Sequence, residues 1–320
     1  MQAARRAFLF ASTLALPGIA RAQGGAAIRL IVPAPPGGAT DILARSVAED
    51  AGQALGLRVV VDNRGGRGGI IGTRLAAQAA PDGSVLVLGH NQTHAANQAL
   101  TRDLPYHVLD SFAPVARLAT VHHATVVPAS HAAQDMAGLA RLGRNGGRLT
   151  YASSQAGSAS HLLAESFVRR EGLSAIHAPY RGGQAAMQDT AAGLVDFYIS
   201  TWPQVMPLVR EGRLRALSIG AEERIEGFPA LPTTAEAGVP YLAMDAWFGI
   251  FAPHGTPQPT LHRYSDAFMA AMAEAENTRR VQAAGFNPAP LPAPDFAAFQ
   301  RREVERWREM AELTGISLEE

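Results

Sequence analysis

Short apolar runs alternate with longer segments of helical spacing along most of the chain. Ile28–Pro33, Arg58–Asn63 and Ser84–Gly89 are short and β-rich. Asp41–Leu55 places Ile42, Ala44 or Arg45, and Ala48 near one side and stops at Gly56, which predicts a helix. The alternation returns in Leu149–Ser153, Ala175–Tyr180, Phe197–Thr201 and Leu214–Gly220. Helices are expected between and after them, over Ser158–Glu171, Gly183–Ala192 and Pro203–Glu211. Strands separated by helices imply βαβ units and mostly parallel sheets. Two sets of such units predict an α/β protein of two lobes. Phe112–Ser130 is expected to cross between them, and Met244–Pro257 to cross back. Helices from Pro259 onward then return to the first lobe. The expected division is 23–120 with 246–320 as lobe 1, and 121–245 as lobe 2. Two crossings make a hinge, with the ligand cleft between the lobes.

The 320 residues exceed what one core usually holds, in keeping with two lobes. Hydrophobic residues make up 47% and charged residues 18%, an ordinary globular balance. Cysteine is absent, which excludes disulfides, thiolate nucleophiles and Cys-ligated metals. Lysine is absent too, since all 28 basic residues are arginine. Schiff-base chemistry, lysine-anchored pyridoxal phosphate and a P-loop lysine are therefore excluded. The N-terminus reads "MQAARRAFLFASTLALPGIARAQGG": Arg5 and Arg6, an apolar run to Ala20, and Ala20-Arg21-Ala22 as a cleavage site. This predicts a signal peptide, residues 1–22, cut after Ala22, with "RRAFL" suggesting the twin-arginine route and Sec export as the alternative. Its removal takes away three arginines and no acids, leaving 25 basic against 28 acidic side chains. That balance gives no footprint for nucleic acid or an anionic membrane.

The corner "PAPPGGATD" ends the first strand and opens the first helix. Ligands of open α/β sheets sit beyond the carboxyl ends of strands, where helix N-termini offer unpaired N–H groups to anions. Gly37 and Gly38 permit close backbone approach, and Pro36 stiffens it. The alternative is a plain capping turn, with Thr40 as N-cap and Asp41 in the first turn. A comparable corner, "YASSQAGSASHLLAE", opens the helix near Ser158 in the second lobe. Two facing N-termini would clamp a carboxylate.

These stretches, with "VVVDNRGGRGGIIGTRLAAQAAPDGSVLVLG", "HAPYRGG", "LPTTAEAGVP" and "WFGIFAPHGTP", carry a wider likeness. From about Ile28 to the C-terminus the chain resembles the Bug-type extracytoplasmic solute receptors of tripartite tricarboxylate transporters. The resemblance implies a periplasmic, two-lobe Venus-flytrap fold that binds a small carboxylate without a cofactor. It implies membrane transporter subunits as partners and a monomeric receptor. It also implies that main-chain N–H groups and ordered water from Pro36–Asp41 and Ser153–Ser158 hold the carboxylate. The residues carried over are Pro36, Gly37, Gly38, Asp41, Ser153, Gln155, Gly157 and Ser158, with Asn91, Thr93, Ser200 and Thr201 lining the remainder. The family pattern is departed from in three places: Ala34 for the usual Phe, Gln155 for Gly, and "NRGGRGG" with Gly65 and Arg67 in a loop usually written N-R-P-G-A-G-G.

Other chemistry is weaker. Ser158, Ser160 and His161 suit a helix start; the G-x-S-x-G elbow of a hydrolase is missing. "HNQTH" lacks the glutamate of a zinc helix, so His90 and His94 read as surface or pocket residues and no metal site is expected. His122 and His123 fall on opposite faces of a strand and read as structural. Arg64, Arg67 and Arg181 read as solvated charges, although Arg181 beside Gly182 and Gly183 could face the cleft. Trp202 and Trp247 read as hinge or core. The reading is a binding receptor, not an enzyme, with an exported α/β hydrolase and a ligand-presenting sensor for a signalling kinase as rivals.

Overall fold

A computed structural model describes residues 27–37 and 39–317. The signal-peptide expectation over 1–22 and the expected ligand contact at Gly38 lie outside the described residues. In the first part of the chain, β1 (Ala27–Val32), α1 (Ala39–Leu55), β2 (Arg58–Asn63), α2 (Ile70–Ala77), β3 (Val85–His90) and α3 (Asn97–Leu100) follow one another. Strand β4 (Phe112–Pro128) comes next, then α4 (Met136–Arg144), β5 (Leu149–Ser153), α5 (Ala159–Glu171) and β6 (Ala175–Pro179). They are followed by α6 (Gly183–Ala191), β7 (Phe197–Thr201), α7 (Trp202–Arg210) and β8 (Leu214–Ile219). The chain closes with β9 (Asp245–Pro253), α8 (Gln258–Ala273), α9 (Ala275–Ala283), β10 (Asn287–Pro292) and α10 (Ala293–Thr314).

The strand order is β2-β1-β3-β9-β4-β7-β5-β6, with β10 and β8 also paired to β4. β1 is parallel to β2 and β3, and β5 is parallel to β6 and β7. β4 joins these two parallel sets. Its first part, Phe112–His122, pairs antiparallel with β9, and Ala116–Thr120 also meets β10. Its last part, His123–Pro128, pairs antiparallel with β7 and β8.

Two details differ from the sequence expectation. Helix α1 buries Leu43, Val47, Ala51 and Leu55, an i, i+4 series that packs with Ile28, Leu30 and Phe268. Ala44 and Ala48 are buried as expected, but Ile42 is 44% exposed and Leu43 takes its place on the apolar face. Each fully buried leucine or valine contributes about 1.5–3 kcal/mol, so this series, with four apolar members, sets the helix phase and Ile42 does not. The expected second crossing, Met244–Pro257, instead forms β9, which lies between β3 and β4 within the first set. Its residues from Ala246 to Pro253 are buried throughout, as a central strand requires. Helix α8 packs on α1 and β4, while α10 touches both β4 and α5. Trp247 is wholly buried and its indole Nε1–H donates to Glu303 Oε2 at 3.0 Å. Trp202 is partly buried and meets the Phe228 ring edge-on.

Candidate functional site

The carboxyl ends of the parallel strands face a cleft of about 610 Å³, with walls from both strand sets. Five helices begin there. Thr40 in the first turn of α1, Gly69 before α2, Ser158 before α5, Gly183 at the head of α6 and Thr201 before α7 all line it. Their first N–H groups lack intrahelical acceptors and carry partial positive charge. Among the described lining residues, Arg67 alone has a formal charge at neutral pH, and none is acidic.

The first corner divides its labour. The N–H of Gly37 donates to Asp41 Oδ2 at 2.9 Å, and Arg45 Nε donates to the same oxygen at 3.1 Å. Gly37 has φ +79°, so glycine suits this turn. Pro36, Gly37 and Asp41 are outside the cleft wall, whereas Ala34, Pro35 and Thr40 form part of it. Thr40 is inside α1, so it is not the N-cap expected from the sequence. Asp41 braces the turn; the Arg45 bond holds its carboxyl below the usual range against the opposing effect of burial.

The neighbouring glycine loop has a run of left-handed residues: Gly66 (φ +111°), Arg67 (+48°), Gly68 (+62°) and Gly69 (+86°). Buried polar side chains hold it. Gln92 Nε2 donates to Asn97 Oδ1 at 2.7 Å, and Asn97 Nδ2 donates to the Gly68 carbonyl at 3.3 Å. Asn91 lines the cleft, whereas Thr93 lies behind it, bonded through Oγ1 to the His90 main chain and close to the His94 ring.

In the second corner, Ser154, Gln155 and Ser158 line the cleft. Ser160 Oγ accepts from the Ser154 N–H at 2.9 Å and lies 2.8 Å from Ser158 Oγ. Ser158 caps α5, accepting weakly from the His161 N–H at 3.4 Å, and donates to the Gln155 carbonyl at 2.7 Å. Ser153 and Gly157 face away, onto a pair of histidines. Ser153 Oγ is 2.7 Å from His177 Nε2, and the Gly157 N–H donates to His161 Nδ1 at 3.0 Å. The two rings stack with centroids 3.7 Å apart. Ser200 and Thr201 line the far wall; Ser200 Oγ donates to Gln204 Oε1 at 2.9 Å.

All three departures from the family pattern that bear side chains, Ala34, Arg67 and Gln155, line the cleft. Arg181 is exposed and outside it, while Gly183 is in it. The sequence reading missed Tyr198, Gln204 and His123. For Gln204 the one sequence signal was its place four residues after Ser200; in the structure it packs so close to Gly183 that an added Cβ there would lie 2.4 Å from its Nε2.

Because His161 Nδ1 accepts from a backbone N–H, its ring must stay neutral there. Burial, then the neighbouring His177, lowers its pKa to about 4, with Glu165 opposing; burial also lowers His90 to about 4. Both rings are ordinary near 6.5 when unfolded. The unfolded chain therefore takes up protons first, so stability is full above about pH 6.5 and declines toward pH 4. Scanning calorimetry should show Tm falling on the order of 5 °C between pH 7 and 5. A flat Tm over that interval would contradict neutral, buried rings.

A deep cleft between two parallel α/β sets bridged by antiparallel strands defines the periplasmic-binding-protein class. The family described as "Tripartite tricarboxylate transporter family receptor" matches residues 43–316. The chain is 33% identical to Protein BugT of Bordetella pertussis over 313 residues, covering 97% of this chain and 96% of BugT. Among solved structures, "Structure of a periplasmic transporter" has TM-score 0.81 at 34% identity, covering 92% of this chain and 98% of that one. A R. palustris protein with adipate has TM-score 0.80 at 31% identity, with 91% and 97% covered. MatC from Rhodopseudomonas palustris with bound malate has TM-score 0.75 at 30% identity, with 89% and 98% covered. The chain belongs to the receptor family of the tripartite tricarboxylate transporters and is a solute-binding receptor. No described helix is long and apolar enough to cross a membrane.

Proposed function

We propose that the cleft captures a small organic carboxylate and presents it to membrane-embedded transporter subunits. The observation that carries this reading is the convergence of five helix N-termini on a cleft with no acidic side chain among its described lining residues. The adipate and malate carried by two relatives support the same class. The receptor works as a monomer in the periplasm, after cleavage behind Ala22 on the twin-arginine or the Sec route. Ordered water shares the carboxylate with the loops. Lobes 23–120 with 246–320, and 121–245, close about β4 on binding.

Mass spectrometry of solute released from natively purified protein tests the reading, followed by calorimetry with the compound found. A carboxylate is expected, with a radius of gyration in solution scattering that shrinks as it saturates the protein. Stabilisation should follow RT ln(1 + [L]/Kd), about 2.7 kcal/mol at a hundredfold excess. A neutral sugar or a cation as the sole tight ligand would overturn the assignment. N-terminal sequencing of the exported protein should begin at Gln23; an uncleaved chain counts against the export route.

A further inference from the structure

His123 stands where β4 leaves one strand set for the other. Its neighbour His122 is opposite Asp245 on β9, and His123 itself is opposite Thr201 on β7. It is 4% exposed and still forms part of the cleft wall. Its backbone is secured, since its carbonyl accepts from the Gly220 N–H at 2.8 Å. Its ring Nδ1 lies 2.7 Å from the carbonyl oxygen of Met244. A carbonyl oxygen only accepts, so Nδ1 carries the proton. Nε2 of the neutral ring is then a lone pair, and no described residue bonds to it.

The ring's neutrality follows from its surroundings. Burial lowers its pKa; the Met244 carbonyl and Asp245 oppose this, and His122 adds to the lowering. His122 is itself bound to Asp245 at 2.8 Å, so that carboxylate already has a partner.

Nε2 opens to the cleft, where water can donate to it, and a ligand that displaces such a water must replace the bond or incur its loss. Of the substituents that most often stand beside a small carboxylate, a hydroxyl and an ammonium have the proton to give. An ammonium would enter a wall whose described residues include no acidic side chain and, as a formal charge, Arg67 alone. A hydroxyl supplies the same bond without that repulsion.

We infer that His123 Nε2 accepts a hydrogen bond from a hydroxyl of the bound molecule, so that the receptor selects hydroxycarboxylates over plain and amino-substituted carboxylates. The inference rests on the carboxylate reading above.

Calorimetry with matched sets tests it: propionate, lactate and alanine; succinate, malate and aspartate; glutarate, hydroxyglutarate and glutamate. Within the tightest-binding set the hydroxy acid should bind about tenfold more tightly than the plain acid, equivalent to about 1.4 kcal/mol. His123→Phe should bring that ratio to about one. Equal binding of plain and hydroxy acids, tightest binding of the amino acid, or a ratio that survives His123→Phe overturns the inference alone. If no member of any set binds, the selection of small hydroxycarboxylates is overturned, while the carboxylate reading itself is decided by the solute released from the natively purified protein. Nitrogen NMR of the wild-type ring gives a reading independent of how the variant folds. It should report Nδ1–H with bare Nε2 at pH 7, and the Nε2 signal should move with the hydroxy acid. An Nε2–H tautomer or an imidazolium at that pH contradicts the proposal.

Discussion

A Gly69→Ala chain should lose about 2–6 kcal/mol of stability and, with it, the shape of the cleft. Two costs add. Gly69 has φ +86°, and holding another residue in such a conformation costs about 1–3 kcal/mol. An added Cβ would lie 2.5 Å from Thr93 Cγ2 and 3.0 Å from the Pro33 carbonyl oxygen, and overpacking of this kind costs about 1–3 kcal/mol. Thr93 cannot easily swing aside, because its hydroxyl bridges the His90 N–H and carbonyl. Denaturant unfolding measures the total. Adding Thr93→Ser removes the offending methyl but leaves the backbone strain, so about half the loss should return. A Gly69→Ala protein within about 0.5 kcal/mol of the parent, the range of neutral surface changes, would refute both costs.

The second large effect concerns charge. Arg67→Glu should weaken binding of the natural anion more than a hundredfold, whereas Arg67→Gln should weaken it about tenfold. A charge-assisted hydrogen bond is worth roughly 1.5–3 kcal/mol, and reversal adds repulsion to its loss. Arg67 is exposed, so salt should screen the effect, and the gap between the variants should narrow from low to high ionic strength. Calorimetry at two salt concentrations measures this. Unaltered affinity in Arg67→Glu would mean that the ligand sits beyond the reach of this side chain.

The α/β alternation was legible because short apolar runs and helical spacing differ in period. The phase of α1 was not: Ile42 and Leu43 are adjacent and equally apolar, and only packing against β1 and α8 separates them. In the site, the corners were legible from their glycines, prolines and hydroxyls, since strand ends followed by helix starts recur in this class. Which residues of a corner face the cleft was not. Asp41 and Ser153 turn to local partners, Gly37 and His177, that lie on other segments or depend on the turn itself. His123 escaped for a different reason. β4 is buried along most of its length, so alternation marks no cleft side. The carbonyl that fixes its tautomer belongs to Met244, 121 positions away.

The bridging strand β4 also dictates an order of assembly. β5 to β8 are all present once residue 219 has been made, so the later set can complete itself against the end of β4. The earlier set cannot, because β3 has no neighbour on its β4 side until residues 245–253 arrive as β9. The part of the chain made first therefore folds last, held open as an unpaired edge through the synthesis of the rest. Closing that long loop makes the step intrinsically slow. An unpaired edge of buried strands is also where a nascent chain aggregates, so a holding chaperone should recognise β3 and the first part of β4, the two strands that wait for β9, before any other part of this protein.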